Sequence, residues 1–223
     1  QWERGKLLKR PIVWCEQGIG DQLLYASLIE ALAKEVEEVT VVIDIRICNL
    51  LQRGCRASNV TFLSHNARIK MKNHDSHIPL GSLGKYFIKS VWDISLYRAQ
   101  GYLKADPKRV ELLRRELSIE PRTVLIGLTW ASTAPVIGGH KSVALEKFRP
   151  ILDMPNTKFV NLQYGEPAKE GVGFHPNLVT THIDTFLDLE NVAALIELCD
   201  VVISPSGANV HIADAMGKPV LLL

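Results

Sequence analysis

Short apolar runs alternate with segments of helical periodicity along the whole chain. The apolar runs are rich in β-branched and aliphatic residues, which is typical of buried strands. We predict strands at Pro11–Trp14, Val39–Ile43, Val60–Leu63, Val124–Thr129, Lys158–Leu162, Val201–Ile203 and Val220–Leu223. We predict helices at Gln22–Glu35, Pro107–Leu117, Leu145–Leu152, Asn191–Leu198 and Asn209–Met216. Short strands that alternate with helices of this length indicate βαβ units, and therefore an α/β fold with parallel sheets.

A polar segment from about Ala105 to Arg122 divides the chain into an earlier and a later α/β set. It contains Pro107 and Pro121, and a new strand follows it. We therefore predict two Rossmann-like domains, residues 1–118 and 119–223, which face each other across a cleft. Ligands in such folds bind at the carboxyl ends of the strands.

Composition excludes several classes of protein. The formal net charge is only +2, and the basic residues are scattered, so we predict no nucleic-acid partner. The four cysteines show no C-x-x-C spacing, which favours reduced, structural thiols in a cytoplasmic protein. No apolar run approaches the ~18 residues of a membrane span, and the first residues lack the apolar core of a signal peptide.

The turn after the first predicted strand reads Gly18-Ile19-Gly20-Asp21-Gln22. Gly18 and Gly20 permit a tight turn and close backbone approach. A helix beginning near Asp21 or Gln22 would present free N–H groups, which favour anions. Asp21 is either the N-cap of that helix or a catalytic acid or base, and its residue type alone leaves both interpretations open. The G-x-G-D spacing does not match a dinucleotide fingerprint.

A second turn, after Val201–Ile203, offers hydroxyl, amide and backbone donors from Ser206, Gly207 and Asn209. His211 falls on the first turn of the next predicted helix, where it would reach bound phosphate oxygens or serve as a buried structural histidine.

Two further segments follow predicted strands. Residues 129–142 end in His140, Lys141 and Ser142, which would form either a ligand-binding loop or an ordinary solvated one. Gln163 and Tyr164 stand at a strand end, where they would hold a base or sugar, or simply pack. His74 and His77 lack further spaced ligands, so we predict no metal site there.

Five ordered segments resemble the glycosyltransferase-like region of proteins that carry tetratricopeptide repeats upstream. The segments read VWCEQGIGDQLLYASLIEAL, HIPLGSLGKYF, IGLTWAS with HKS, FVNLQYG, and NVAALIELCDVVISPSGANVHIADAMGKPV. Those proteins are similar to the ADP-heptose:lipopolysaccharide heptosyltransferase family, and more distantly to O-linked N-acetylglucosamine transferase. The opening QWERGK also resembles the segment that joins such repeats to this domain.

The resemblance implies a GT-B fold, with acceptor bound by the N-terminal domain and nucleotide-sugar by the C-terminal one. It implies inverting transfer to a glycan, lipid or protein hydroxyl, without a metal ion or other cofactor. Asp21 matches the proposed general base. The resemblance places Gly18, Gly20, Gln22, Gly81 and Ser82 around the loop and acceptor, and Lys141, Ser142, Gln163, Ser206, Gly207, Asn209 and His211 at the donor.

The family pattern D-[ST]-x-x-x-H reads here as Ser206 to His211, so Ser206 stands in the place of the aspartate. This departure leaves a second function open, a non-catalytic module that binds sugar nucleotides or proteins on a repeat scaffold. An epimerase of related fold would need an acid pair that the sequence does not reveal.

The resemblance also implies a further strand and helices after Pro219. The chain closes instead on the apolar strand pattern Val220–Leu223, without a polar cap. We therefore expect an incomplete C-terminal domain that self-associates through its uncovered edge.

Overall fold

Two compact units, Gln1–Lys104 and Ala105–Leu223, make up the chain. The computed structural model describes residues 1–7, 9–90, 92–93, 101–120, 122–133 and 138–223. Pro121, and residues 134–137 of the predicted ligand loop, lie outside the described residues.

A four-stranded parallel sheet forms the first unit, in the order β3-β2-β1-β4. Its strands are β1 (Pro11–Trp14), β2 (Val39–Ile43), β3 (Val60–Ser64) and β4 (Ser76–Pro79). Val13, Val41 and Ile78 are fully buried, as expected for a sheet covered on both faces. β4 is not among the predicted strands, because His77 and Pro79 interrupt its apolar pattern.

The helices that the structure describes in full in this unit are α1 (Ile19–Ala26), α2 (Ile29–Ala33), α3 (Ile45–Gly54) and α4 (Leu83–Phe87), with 3₁₀ turns at Met71–Asn73 and Leu80–Ser82. The predicted single helix over residues 22–35 is thus two helices. The Ser27 hydroxyl donates to the Leu24 carbonyl at 2.7 Å, and the Leu28 N–H donates to the Tyr25 carbonyl at 3.0 Å. These tighter bonds end α1, because a serine side chain competes for helical carbonyls.

The second unit is a five-stranded parallel sheet in the order β7-β6-β5-β8-β9. Its strands are β5 (Val124–Leu128), β6 (Thr157–Asn161), β7 (Leu178–Val179), β8 (Val201–Ser204) and β9 (Val220–Leu222). Its helices are α5 (Pro107–Leu117), α6 (Gly138–Lys141), α7 (Arg149–Leu152), α8 (Leu189–Leu198) and α9 (Ala208–Ala215), with 3₁₀ turns at Leu145–Phe148 and Glu166–Gly171. The predicted α/β fold with parallel sheets is confirmed in both units.

The division between the units falls earlier than the predicted boundary after residue 118. Helix α5 packs against α8, and its apolar face buries Leu113 and Leu117. Arg109 Nη1 also lies 3.9 Å from Asp188 Oδ2, just before α8. Because these contacts belong to the second unit, α5 does too, and the polar composition of its outer face does not mark a linker.

The edge strand β9 exposes apolar side chains. Leu221 and Leu222 are 56% and 59% exposed. Self-association through this edge stays a prediction. Among the described residues, no helix is both long and apolar enough to traverse a bilayer.

Candidate functional site

The turn after β1 places Asp21 inside the first turn of α1. Gly18 is the N-cap, in an extended conformation, and its carbonyl accepts the Gln22 N–H at 3.0 Å. Asp21 is therefore the third residue of the helix, and the N-cap interpretation is wrong. Its side chain is exposed, and within the described part of the chain it makes no hydrogen bond or ion pair. The carboxylate is consequently available to a ligand.

Neither glycine of this turn has a positive φ. Gly18 has φ −66°, and Gly20 lies within α1 with no positive φ. A Cβ atom built on Gly18 would meet nothing within 4 Å. Neither backbone strain nor packing among the described residues therefore requires glycine at position 18, although it leaves open space beside the start of the helix.

Gln22 fixes the turn from inside the protein. Its side chain is buried, with Nε2 donating to the Gln17 carbonyl at 2.8 Å and Oε1 accepting the Asp44 N–H at 3.0 Å. Both ends of the amide are thus engaged internally. Gln22 therefore holds the loop that leads to Asp21, and a place for it near the acceptor stays a prediction.

A shallow hollow, open to solvent, lies beside Asp21. Its lining combines the β1–α1 loop, α1 and the turn after β4, and consists of Cys15, Glu16, Gln17, Asp21, Gln22, Tyr25, Leu80 and Gly81. A Cβ atom on Gly81 would lie 3.2 Å from Glu16 Oε1, so glycine leaves room for that side chain. Of the predicted loop and acceptor residues, the hollow unites Gln22 and Gly81 with Asp21, whereas Gly18, Gly20 and Ser82 are not part of its lining.

Sequence reasoning missed Glu16, Cys15 and Tyr25 as members of this hollow. Burial raises the pKa of the Cys15 thiol to about 12, with smaller contributions from the Glu16 and Asp44 carboxylates. Cys15 is therefore protonated at neutral pH, which argues against a nucleophilic role. The position of Glu16 at a strand end was the one signal that could have identified it.

In the second unit, Gln163 ties together two strand ends. It is 1% exposed, and its Oε1 accepts the N–H groups of Trp130 and Ala131 at 3.0 and 2.9 Å. Its Nε2 donates to the carbonyls of Ala131 and Tyr164 at 3.0 and 3.1 Å. The side chain thus shapes the loops after β5 and β6 through bonds within the protein, and donor binding by Gln163 stays a prediction.

Asn209 has a similar place on α9. It is 2% exposed, and its Nδ2 donates to Thr129 Oγ1 at 3.1 Å and to the Leu162 carbonyl at 2.8 Å. This amide therefore anchors the start of α9 to the ends of β5 and β6. Like Gln163, Asn209 holds the loops in position.

Ser142 joins the loop after β5 to α6. Its Oγ donates to the Gly138 carbonyl at 2.7 Å and accepts the Ser132 N–H at 3.0 Å. A Cβ atom on Gly138 would lie 2.5 Å from the Ser132 carbonyl oxygen, so this close approach requires glycine. Lys141 is half-buried, and its side chain makes no hydrogen bond or ion pair within the described ranges.

The loop after β8 carries the remaining predicted donor residues. Ser206 is exposed, and Gly207 is the extended N-cap of α9, without a side-chain cap bond. A Cβ atom on Gly207 would lie 3.8 Å from the Tyr164 hydroxyl, so this loop lies beside the loop after β6. His211 is half-buried and follows on the first turn of α9. These groups meet at the carboxyl edge of the second sheet, where α/β folds bind ligands.

No group of three or more possible metal ligands occurs among the residues that the structure describes. His74 and His77, considered in the sequence, are not brought to a common site. His77 Nδ1 accepts the Trp14 indole N–H at 3.3 Å, and Asp75 between them accepts the backbone N–H groups of Lys9 and Arg10.

Comparison with known proteins places this geometry in context. No protein-family model matches the chain. It is 25% identical to protein FlbA of Caulobacter vibrioides over 96% of its length, and it spans only 39% of FlbA.

Solved structures are similar over nearly the whole chain. The glycosyl transferase family 9 structure from Veillonella parvula has a TM-score of 0.65 at 16% identity, covering 96% of this chain and 80% of that one. The ADP-heptose heptosyltransferase II of E. coli has a TM-score of 0.61 at 14% identity, covering 96% and 84%. The E. coli heptosyltransferase WaaC with ADP has a TM-score of 0.56 at 13% identity, covering 96% and 86%. The chain has the fold of these glycosyltransferases.

Each unit thus offers a different chemistry at the carboxyl edge of its sheet. The first presents an accessible carboxylate, Asp21, beside a hollow with a second one, Glu16. The second presents an amine, hydroxyl and backbone donors on loops held by buried amides. A carboxylate can accept a proton, and the donors suit an anionic ligand.

Proposed function

We propose that this chain is a glycosyltransferase domain, which moves a sugar from a nucleotide-sugar donor to an acceptor hydroxyl. The observation that carries the proposal is the exposed Asp21 carboxylate beside a hollow after β1, without a partner among the residues described, in a chain with the fold of glycosyltransferases.

Asp21 acts as the general base in the first unit, which binds the acceptor. It takes the proton of the acceptor hydroxyl while that oxygen forms a bond to the anomeric carbon of the donor sugar. The bond from that carbon to the diphosphate oxygen breaks on the opposite face, and the diphosphate leaves with the electron pair. Displacement from the opposite face inverts the anomeric centre. A base must lie within hydrogen-bond reach of the proton, which its accessible position in the hollow permits.

The second unit binds the nucleotide-sugar, and Lys141, Ser206, Gly207 and His211 contact its diphosphate. Transfer proceeds without a metal ion, as the sequence resemblance implies, so cations and N–H groups must offset the charge of the leaving group. Two observations support this arrangement. The amine of Lys141 has no partner within the described residues, and the N-terminus of α9 has no side-chain cap. Helix N-termini favour negative charge.

Ser142, Gln163 and Asn209 have an indirect part in donor binding. Their side chains are bonded to the loops after β5 and β6 and to the start of α9. They therefore hold the donor loops at fixed positions, which limits the entropy that ordering those loops would otherwise cost on binding.

The test is a transfer and hydrolysis assay of the purified protein with ADP-, UDP-, GDP- and dTDP-sugars. We expect one donor class to release its nucleoside diphosphate, and Asp21→Asn to lower that turnover by ~10²-fold or more. Glu16→Gln is the matched control, because it neutralises the other carboxylate of the hollow, and it should lower turnover far less.

One observation favours the alternative function, a non-catalytic module that binds sugar nucleotides or proteins. Ser206 stands where the resembled family has an aspartate. Tight binding of a nucleotide-sugar with neither hydrolysis nor transfer would favour the binding module. Turnover that persists in Asp21→Asn would instead remove Asp21 from the mechanism.

A further inference from the structure

The first residues of the chain form an ordered arm on the first unit. We call residues 1–6 the Trp2 arm. The side chain of Trp2 is only 2% exposed. Its ring packs edge-on against Tyr86, with centroids 5.3 Å apart, and stacks at 6.4 Å on Phe87. Burial of a tryptophan beside two aromatic rings is among the larger single contributions that a side chain makes to packing.

Arg4 adds polar contacts to the same place. Its Nη1 donates to the Tyr86 carbonyl at 3.0 Å, and its guanidinium lies 5.1 Å from the centre of the Phe87 ring. The other side of the guanidinium pairs with both carboxylate oxygens of Glu35, at 3.2 and 2.5 Å. Arg4 therefore links α4 to the segment that follows α2.

The arm contacts both ends of the segment of residues 77–87. At its start, the Trp2 N–H donates to the His77 carbonyl at 2.8 Å. At its end, Trp2 and Arg4 contact Tyr86 and Phe87. We call residues 77–87 the wall segment, because Leu80 and Gly81, at its centre, line the Asp21 hollow.

The wall segment lies close to α1 and to the end of β1. Cβ atoms on Gly81 and Gly84 would lie 3.7 and 3.4 Å from the Tyr25 ring, so the glycines let α1 and the wall segment approach closely. The indole of Trp14, at the end of β1, also donates to His77 Nδ1. A shift of the wall segment would therefore change the distance between Gly81 and Glu16, and with it the shape of the hollow.

We propose that Trp2 and Arg4 are positioning residues for the Asp21 hollow: by holding both ends of the wall segment, the Trp2 arm sets the hollow's width. Neither residue lines the hollow. β1, β2 and β3 pair through residues outside the arm, so we expect these strands to stay paired when the arm's contacts are lost. The geometric claim does not depend on the proposed function, whereas its consequence for acceptor binding rests on it.

Hydrogen exchange and cysteine alkylation test the geometry without any substrate. In Trp2→Ala, we expect amide exchange over residues 80–87 to rise about tenfold or more, and exchange in β2 to stay unchanged. Alkylation of Cys15, which lines the hollow, should rise with it at constant pH, as followed by peptide mass spectrometry. Trp2→Phe keeps an aromatic ring against Phe87 and should restore most of the protection.

The control is Lys6→Ala, which breaks the exposed Glu3–Lys6 ion pair in the same arm and should change neither readout. If Trp2→Ala does not fold, Arg4→Gln removes the guanidinium contacts to Glu35, Phe87 and the Tyr86 carbonyl while keeping a polar side chain, and the same local changes are expected. Unchanged exchange over residues 80–87, or an equal rise throughout the first unit, would overturn the proposal. In the transfer assay, a raised KM for acceptor with an unchanged KM for donor in Trp2→Ala would show that the arm also affects acceptor binding. Absence of transfer in the unmodified protein would contradict the proposed function and would leave the geometric claim unaffected.

Discussion

Gln22 and Asp44 connect the loops that follow two neighbouring strands of the first sheet. The Gln22 Oε1 atom accepts the Asp44 N–H at 3.0 Å, while its Nε2 atom donates to Gln17 within the β1–α1 loop. Asp44 is itself the N-cap of α3, where its carboxylate accepts the Arg46 N–H at 2.9 Å. One buried amide thus fixes the start of two helices, and it does so next to Asp21.

Replacing Gln22 by leucine should destabilise the first unit. Leucine fills a similar volume but leaves the Asp44 N–H and the Gln17 carbonyl without this partner, at a cost of about 1–3 kcal/mol in the free energy of unfolding. Urea denaturation measures this change. Gln17→Ala is the control, because the bond uses its backbone carbonyl and its side chain is exposed, so its effect should stay within about 0.5 kcal/mol. Equal losses in both variants would contradict the role given to the Gln22 amide.

The strands of both sheets could be predicted well from sequence, because parallel strands buried on both faces give continuous apolar runs. β1 and β2 match their predicted bounds, as does α5. β4 could not be predicted in this way, because its polar and proline residues lie on an edge strand, where such residues are tolerated. Helix α3 was not predicted either, although Asp44 provides a capping signal. Its buried face consists of Ile47, Leu50, Leu51 and Gly54.

Asn209 should be sensitive to loss of its amide donor. In Asn209→Asp, a carboxylate oxygen would replace the Nδ2 atom that lies 2.8 Å from the Leu162 carbonyl oxygen. Two acceptors would then face each other in a buried place, and we expect the second unit to lose about 2 kcal/mol or more at pH 8. The loss should be smaller at pH 5, since a protonated carboxyl can donate to that carbonyl. Thermal or urea unfolding at the two pH values measures the difference.

The control for Asn209→Asp is Ser206→Ala, on the exposed loop just before the same helix. Its effect on the free energy of unfolding should stay within about 0.5 kcal/mol at both pH values. A loss in Asn209→Asp that is equal at pH 5 and pH 8 would show that shape, and not the missing donor, is responsible.

Cys199 predicts how stability falls at alkaline pH. Burial raises the pKa of its thiol from 9.0 to about 12 in the folded protein. The unfolded chain therefore ionises this thiol first, so the free energy of unfolding should fall as the pH rises from about 9 towards 12, and the contribution is fully present below pH 9. Cys199→Ala should reduce the slope over this window. Urea unfolding at several pH values measures it, and an unchanged slope would assign the alkaline loss to other groups.

The candidate site was harder to predict than the fold. Asp21 and His211 could be predicted as site residues because each follows a strand, and the loops after parallel strands share one edge of a sheet. The same reasoning could not tell an amide that faces a ligand from one that bonds within the protein. Gln163 and Asn209 follow strand ends as well, yet their amides are engaged by backbone groups of loops distant in sequence. Such partners become known only when the loops are placed in three dimensions.

The last prediction concerns the proposed donor site in the second unit. A nucleoside diphosphate at ~100 times its dissociation constant should stabilise the fold by ~2.7 kcal/mol. Lys141→Ala and His211→Ala should each reduce this stabilisation, to about 1.4 kcal/mol where the affinity falls tenfold at the same concentration. Lys141 makes no hydrogen bond or ion pair within the described residues, so its loss should hardly change the free protein, and the effect should appear only with nucleotide. Thermal unfolding with and without ADP, UDP, GDP and dTDP measures both quantities.

Lys108→Ala is the matched control, because this exposed lysine of α5 has the same charge and belongs to the same unit. Nucleotide stabilisation that falls equally in Lys141→Ala and Lys108→Ala would indicate attraction by net charge alone, and the donor site would have to lie elsewhere.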